Sequence, residues 1–590
     1  MTDHAIPSAD TPIADLLAEL NAAGVLLWAE AGQLRFKAPA GALGAAQRDM
    51  LKARRAECLA YLSGAADGIE PDPDNRYAPF PLTDLQLAYI VGRRDNYELG
   101  GVGCHNYLEL ALPPLDPARL ERAWHGLILR HDMLRAVIGN DDQQRVLKHV
   151  SLPPLRCDDL RGRDEQAFEQ AVLANRRAMA FRRYDAERWP LYEMRLSLHD
   201  ARAILHYSTD LLIADFASIQ LLLAELGEGY RHPERTPPPL GLSFRDVVMA
   251  QRARRQRPEA QARLQAHRDY WLQRLAELPG APELPLAQAP LPMQAAQAAD
   301  AGAPSFARHS FDLPREAWQR FCAVATRHQL TSTSAVMGVF AEVLRRWSRQ
   351  PDFCINLTLF NRPALHAEIQ RIVGDFIAIN VLEVRGDSGA NFVERAGALQ
   401  RRLWQDMAHA DFSGIEVLRE LSRLRGGKQL IPVVFTSTLG VAGDDLPRND
   451  FMHDAQLHYG ITQTPQVWLD CQATERRGGL HVDWDVRCGV FPPGVIEQAF
   501  AAFGEAAAAL AAEAGEAAWS AAALVGLSEA TRLERERINH EKDAPLPRGY
   551  LHGGFCRHAL AQPERPALLC GARQWRYGQL AAWALAIARR

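Results

Sequence analysis

Cysteine is scarce in this sequence: nine residues, an odd number, scattered with no C-x-x-C pair. That pattern excludes a disulfide scaffold and a cysteine zinc site, and it fits a reduced cytoplasm. Long hydrophobic runs are missing too, none approaching the ~18 residues that span a bilayer. The N-terminus, MTDHAIPSAD, lacks a basic stretch followed by an apolar one, so it does not read as a secretory signal. Neither sign of charge dominates. With 67 Lys and Arg against 71 Asp and Glu the net charge is −4, which gives no field for nucleic acid or an anionic membrane. There is no G-x-S-x-G, no H-E-x-x-H and no H-x-x-x-D followed by glycine. What is present is ordinary for a soluble globular protein: 47% hydrophobic and 23% charged residues in a chain of 590. At ~150 residues per domain that length predicts about four compact units.

Residues 13–63 read as a small module of αββα type. Ile13, Leu16, Leu17 and Leu20 recur at helical spacing before Ala22-Ala23-Gly24. Val25–Trp28 and Leu34–Phe36 flank Glu30-Ala31-Gly32 as a hairpin, and an amphipathic helix follows from about Gly44 to Leu62. Its size suits docking better than catalysis. Arg35, Lys37, Lys52, Arg54 and Arg55 make the hairpin and helix basic, which would suit an acidic tail, although a solvated charged face is the default reading of them. SGAADGIEPDPDNR (63–76) reads as a linker. From about 80 to 524 helices and strands alternate irregularly. The Ala/Pro-rich stretch Leu278–Pro304 divides this region and is expected to be a long surface crossing. Ala499–Ala514 predicts a closing helix, and a further unit starts after Pro545–Arg548, with no glycine-rich phosphate loop in it.

Three segments could carry chemistry. In the first, Ile204, His206 and Ser208 alternate with Leu205 and Tyr207 as in a strand, Asp210 opens a loop, and Ile219–Leu226 is an apolar helix. Asp210 and Asp215 would lie ~140° apart on a helix, so they pair only if the chain turns between them. The plain alternative is a helix cap and a loop tied down through an arginine. The second is IPVVFTSTL (431–439), where Val434, Thr436 and Thr438 share one strand face. The third is TPQVWLDCQ (464–472), with Gln466, Trp468, Asp470 and Gln472 expected on one face, either a hydrated channel wall or a solvent-exposed sheet face. His131 could serve as a base or simply end a helix. His206 is expected on a strand with no acidic neighbour in register.

Together these segments resemble the heterocyclization domains of nonribosomal peptide synthetases over roughly 80–525. The blocks are FPLTDLQLAYIVGR (80–93), RHDMLRAVI (130–138), DLLIADFAS (210–218), LPGAPELPL (278–286), TSTSAVMGVFAEVLRRWS (331–348), NLTLFNRP (356–363), IVGDF (372–376), PVVFTSTLG (432–440) and ITQTPQVWLD (461–470). The nearest likeness is to thiazoline-forming domains of siderophore assembly lines of the pyochelin and yersiniabactin kind. Residues 1–63 resemble a TubC-type docking domain, 64–79 a linker, and 526–590 a linker with the opening of an adenylation domain. Condensation domains carry H-H-x-x-x-D-G in the junction loop, whereas here Asp210 and Asp215 stand in the heterocyclization pattern without histidine. Ile377 departs from that pattern, where threonine is usual after Gly-Asp-Phe.

The resemblance implies a two-lobed α/β (α+β) fold of chloramphenicol-acetyltransferase type, with lobes of about 80–278 and 305–525 around a central tunnel. It implies that carrier proteins deliver substrates on 4'-phosphopantetheine, one upstream carrier through the docking domain and one downstream carrier bearing cysteine. No bound cofactor, metal, nucleic acid or membrane is implied. The reaction would be amide formation followed by cyclodehydration to a thiazoline, or to an oxazoline with serine or threonine. The alternatives are an amide-forming condensation domain and a silent scaffold. By resemblance Thr436 and Asp470 are the catalytic pair, with Thr438 the second candidate hydroxyl. Asp210, Ser218, Gln466 and Trp468 would shape the tunnel, and Asp215 would pair with Arg135.

Overall fold

The structure, a computed structural model, describes residues 13, 16, 26–30, 33–37, 45–62, 68–95, 99–287, 305–362, 365–439, 455–527, 529–540 and 550–589. It divides into two units, 1–526 and 527–590. The first opens with the expected hairpin. β1 (Leu26–Glu30) and β2 (Gln33–Lys37) pair antiparallel from Leu26↔Lys37 to Glu30↔Gln33. The helix expected over 44–62 is two helices, α1 (Ala45–Ala53) and α2 (Arg55–Leu62), parted by a turn at Arg54, whose guanidinium donates to Glu57 at 2.7 Å. Of the helix expected over 13–20, Ile13 and Leu16 are described. Leu16 is buried with Leu51 and Cys58. Lys52 and Arg55 are exposed, and Arg35 and Lys37 lie on β2 with their side chains outside the described residues.

The strands that follow are β3 (Phe80–Pro81), β4 (His105–Leu112), β5 (Ala136–Ile138), β6 (Gln143–Val146), β7 (Arg156–Asp159), β8 (Tyr192–Leu198) and β9 (Ala203–Asp210). Among them run helices α3 (Asp84–Gly92), α4 (Pro117–Arg130), α5 (Glu165–Met179), α6 (Phe216–Arg231), α7 (Phe244–Arg255) and α8 (Pro258–Arg274). Then come β10 (Phe306–Leu313), β11 (Phe353–Phe360), β12 (Ile377–Val384), β13 (Val433–Ser437), β14 (Gln456–Gln463), β15 (Leu469–Arg476) and β16 (Gly479–Arg487). With them run helices α9 (Arg315–Arg327), α10 (Ser332–Trp347), α11 (Phe392–Met407), α12 (Gly414–Arg425) and α13 (Val495–Ala511), followed by the single turn Glu516–Trp519.

Two large sheets result. One has the order β14-β4-β9-β8-β7, the other β10-β16-β15-β13-β11-β12, and β3-β6-β5 form a third, small sheet. Alternation decides what each face of the second sheet buries. Leu357, Val433, Phe435, Leu469, Cys471, Ala473, Val482 and Trp484 belong to one apolar core with α10. That helix is buried from Ser334 to Leu344, and the one acid in this span, Glu342, is paired with Arg395 and Arg345 at 2.7 Å each. Each large side chain so buried contributes roughly 1.5–3 kcal/mol. The opposite face carries the polar partners of these residues, and the site lies there.

The expected lobes of about 80–278 and 305–525 do not each own a sheet. β14, expected with the C-terminal half, is the edge strand of the N-terminal sheet, paired with β4 from Gln456↔Ala111 to Gln463↔His105. The linker expected over 64–79 is tied down in its described part. Ile69 is buried, Arg76 pairs with Asp132 at 2.8 Å and Asp72 with Arg245 at 3.2 Å. The expected crossing also starts as packed chain, with Leu278 and Leu284 buried and the Cys354 N–H donating to the Gly280 carbonyl at 2.7 Å. Residues 288–304 lie outside the described residues. In the second unit, helices Glu529–His540, Gly553–Ala561 and Tyr577–Ala588 accompany the hairpin Pro566–Cys570/Arg573–Arg576. The boundary expected at 545–548 falls outside the described residues. No helix among the described residues is long and apolar enough to cross a membrane.

Candidate active site

At the β9–α6 junction both acids are held by arginines. Asp210 ends β9 and is fully buried. It accepts from Arg93 Nη2 at 2.8 and 3.1 Å and from the Leu212 N–H at 3.1 Å. Asp215 caps α6, accepting from the Ser218 N–H at 2.7 Å. The pair expected between Asp215 and Arg135 is not formed. Arg362 reaches Asp215 at 2.9 Å, while Arg135 is taken by Asp132, three residues away, at 2.8 Å and by the carbonyls of Ile128 and Leu147. Arg362 also donates to Ser218 Oγ at 2.8 Å, and that hydroxyl donates to the Gly374 carbonyl at 2.9 Å. Gly374 must be glycine for the closure, since a Cβ there would lie 2.3 Å from the Phe244 ring. Asp215 and Ser218 are thus a latch between α6 and the 361–376 segment.

The polar face of the second sheet brings the third and second segments together. β13 lies parallel to β15 with Val434 opposite Asp470 and Thr436 opposite Gln472. Thr436 Oγ1 stands 3.3 Å from Asp470 Oδ1 and 3.0 Å from Thr358 Oγ1 on β11. Gln472 Nε2 donates to Asp470 Oδ2 at 2.8 Å and to Asp485 Oδ2 on β16 at 3.2 Å. Asp485 in turn is held by a fork from Arg308 on β10, at 2.7 and 2.5 Å, and by the Thr462 N–H at 2.9 Å. Arg308 also meets Asp483 at 3.0 Å. A hydrogen-bonded row therefore crosses five strands, Thr358–Thr436–Asp470–Gln472–Asp485–Arg308.

Asp470 is 8% exposed. Burial and then the charge of Asp485 push its pKa up to about 7, against the hydrogen bonds from Gln472 and Thr436 and the charge of Arg308. Both protonation states are populated near neutrality, which suits a group that gives and takes a proton. Thr436, Thr438, Thr358 and Gln472 keep part of their surface accessible, so the face is not sealed. Tyr89 on α3 feels the Asp470 carboxyl electrostatically. Burial raises its phenol far above the usual range, and charges at Cys104, Asp375 and Asp470 raise it further. Asp375, buried and raised by burial and then by Asp215, has Oδ2 without a hydrogen-bond partner.

Gln466 and Trp468 are not on the strand that carries Asp470. Gln466 has φ +66°, a left-handed turn residue set against Gly92, and β15 begins only at Leu469. The Trp468 ring turns to the apolar core, 6.2 Å from Phe491 and edge-on to it, so the polarity around Asp470 comes from Gln472 and Asp485 rather than an indole. Thr438 lies one residue past β13, its N–H donating to the Ala473 carbonyl at 2.9 Å. His131 ends α4 and its Nε2 meets Glu225 at 2.8 Å. His206 does face an acid in register, Glu109 across the β4–β9 pair, with Nδ1 3.8 Å from it; burial lowers this histidine to about 3. Thr358, Asp485, Arg308, Arg362 and Asp375 were missed as site residues. The signal available for the first three was polar alternation in NLTLF, HVDWDVR and ARHSFDL.

Comparison with known proteins gives the family. The family described as "Condensation domain" matches residues 106–523, and the TubC N-terminal docking domain matches 13–63. The chain belongs to the condensation-domain family. Within that family it is similar to the cyclization-docking bidomain of the nonribosomal peptide synthetase EpoB from Sorangium cellulosum. The identity is 34%, with a TM-score of 0.72, covering 85% of this chain and 98% of that one. It is 38% identical to pyochelin synthetase PchF of Pseudomonas aeruginosa over 98% of this chain and 30% of that protein. It is 36% identical to phenyloxazoline synthase MbtB of Mycolicibacterium paratuberculosis over 88% of this chain and 43% of that protein. The chain thus spans about a third of the length of these curated relatives. It is a cyclization-type condensation domain of a nonribosomal peptide synthetase, an enzyme, preceded by a docking domain.

Proposed function

We propose that this condensation domain joins an upstream acyl thioester to carrier-bound cysteine and then cyclodehydrates the amide to a thiazoline, as in a siderophore assembly line. The Thr436–Asp470 pair on an open polar face, with the carboxyl poised about neutrality, carries the reading. First the cysteine nitrogen bonds to the acyl carbon, the carbon–sulfur bond of the thioester breaks, and the phosphopantetheine thiol leaves with a proton. This step runs downhill, and positioning supplies much of its rate. Next the cysteine thiol adds to the amide carbon, whose oxygen becomes a hydroxyl. That hydroxyl leaves as water while nitrogen loses its proton and the C=N bond forms. Hydroxide is a poor leaving group, so the second step needs the general acid. Asp470 in its neutral form donates that proton, Thr436 orients or relays it, and the carboxylate recovers the proton lost from nitrogen. Asp210 and Asp215, saturated by arginines, hold the junction in shape. Asp470, unlike them, has an accessible hydroxyl at its side.

The experiment is reconstitution with an acyl-loaded upstream carrier and a cysteinyl carrier, read by intact mass. Cyclodehydration removes one water from the carrier-bound amide, whereas a product that keeps that water would leave an amide-forming condensation domain. No turnover at all would leave a scaffold. MbtB is named a phenyloxazoline synthase, so benzoyl is a suitable first donor. For the docking domain, deletion of 1–63 is expected to slow transfer from the upstream carrier protein by about tenfold while leaving a soluble acyl thioester unaffected. Equal slowing of both donors, measured side by side, would remove the docking role.

A further inference from the structure

The Thr436 hydroxyl has one proton and two oxygens within reach, Thr358 Oγ1 at 3.0 Å and Asp470 Oδ1 at 3.3 Å. It can donate to only one at a time. When Asp470 is ionised, the proton belongs on the Asp470 side. When Asp470 is neutral and its O–H points at Thr436, the Thr436 proton must turn to another acceptor, and Thr358 is placed to take it. The three oxygens stand on three neighbouring parallel strands, Thr358 opposite Thr436 and Val434 opposite Asp470, so backbone pairing fixes their spacing. We propose that Thr358 is a positioning residue for cyclodehydration. By accepting from Thr436 it stabilises the neutral, proton-donating form of Asp470, so that Thr358, Thr436 and Asp470 make a hydroxyl row with two proton orientations. This rests on the acid/base role proposed above for Asp470.

The other groups facing Asp470 do not substitute for Thr358. Gln472 on its own strand donates and cannot accept through that nitrogen, Asp485 on β16 is occupied by Arg308, Gln472 and the Thr462 N–H, and Arg308 on β10 has no acceptor. Tyr89 on α3 and Asp375 are titratable groups in the same surroundings, both held in the neutral form by burial, and Cys471 lies on the opposite face of β15.

The test is the pH profile of each step in the full chain, with benzoyl- and cysteinyl-loaded carriers and quenched samples read for amide and thiazoline. Thr358→Val keeps the shape and removes the acceptor. The alkaline fall-off of cyclodehydration is expected to move about one pH unit lower, giving about a tenfold loss at pH 8 with amide formation unchanged. Thr358→Ser is expected to restore both rate and profile. Amide formation reports folding within the same sample. An unmoved profile, failure of serine to rescue, or equal loss of both steps in Thr358→Val each overturns the proposal. Asp470→Asn run in parallel separates the two ideas. If that variant still makes thiazoline, the acid/base reading fails. If it does not, and Thr358→Val leaves the profile in place, the role of Thr358 alone fails.

Discussion

Asp470→Asn is expected to stop the reaction at the open amide, with cyclodehydration slowed about 10²–10⁴-fold. Amide formation should continue at close to its normal rate, because the carboxyl acts on the second step. The same substitution is expected to stabilise the protein in alkali. In the folded chain Asp470 titrates at about 7 against an ordinary 3.8, so between these values the folded state holds a proton that the unfolded state has released. Stability contributed by that proton is complete below pH ~4 and is drained as pH rises through 7, by up to about 4 kcal/mol for a shift of about three units. Asparagine keeps the hydrogen bond from Gln472 and has no such proton to lose. Urea unfolding at pH 5 and pH 8 checks this: the variant should gain on the native chain at pH 8, and a constant gap would contradict the burial account.

Arg362→Ala should produce the largest loss of stability, about 3–5 kcal/mol, because it leaves Asp215 buried and charged without its partner. Arg362 does more than pair. It lies over the Phe376 ring at 4.2 Å and donates to the carbonyls of Ile369 and Ile372 and to Ser218, so alanine would release the 361–376 segment from α6. Amide formation and cyclodehydration should fall together. Arg135→Ala provides the contrast. Its partner Asp132 keeps Arg76, so the loss should be smaller and the latch should stay closed. Chemical denaturation of both variants checks the order, and a larger loss for Arg135→Ala would refute it.

Period-two alternation was readable wherever a strand was regular. Val434 and Thr436 face one way and Phe435 the other because β13 is extended throughout, and the same rule places Asp470 with Gln472. It failed at Gln466 and Trp468, where a left-handed residue at 466 resets the direction of the side chains before β15 begins. The partners of those faces were not readable. Alternation tells which residues share a side of a strand and nothing about which strand lies next to it. Thr358 and Arg308 therefore became visible only with the order β10-β16-β15-β13-β11. The same blindness hid Glu109 from His206, and the family resemblance, which sent Asp215 to Arg135, did not reveal its true partner Arg362, 147 residues away along the chain.

The strand 456–463 has a consequence for how the molecule could be divided. It belongs by sequence to the second half, yet it supplies the outer rung of the first sheet, covering β4 from His105 to Ala111. A fragment cut within 288–304 would expose that margin as a row of unsatisfied N–H and C=O groups, the kind of ledge on which chains stick to one another. Such a piece should precipitate alone and recover only when the complementary piece is co-expressed, so the smallest autonomous catalyst is the undivided pair of sheets.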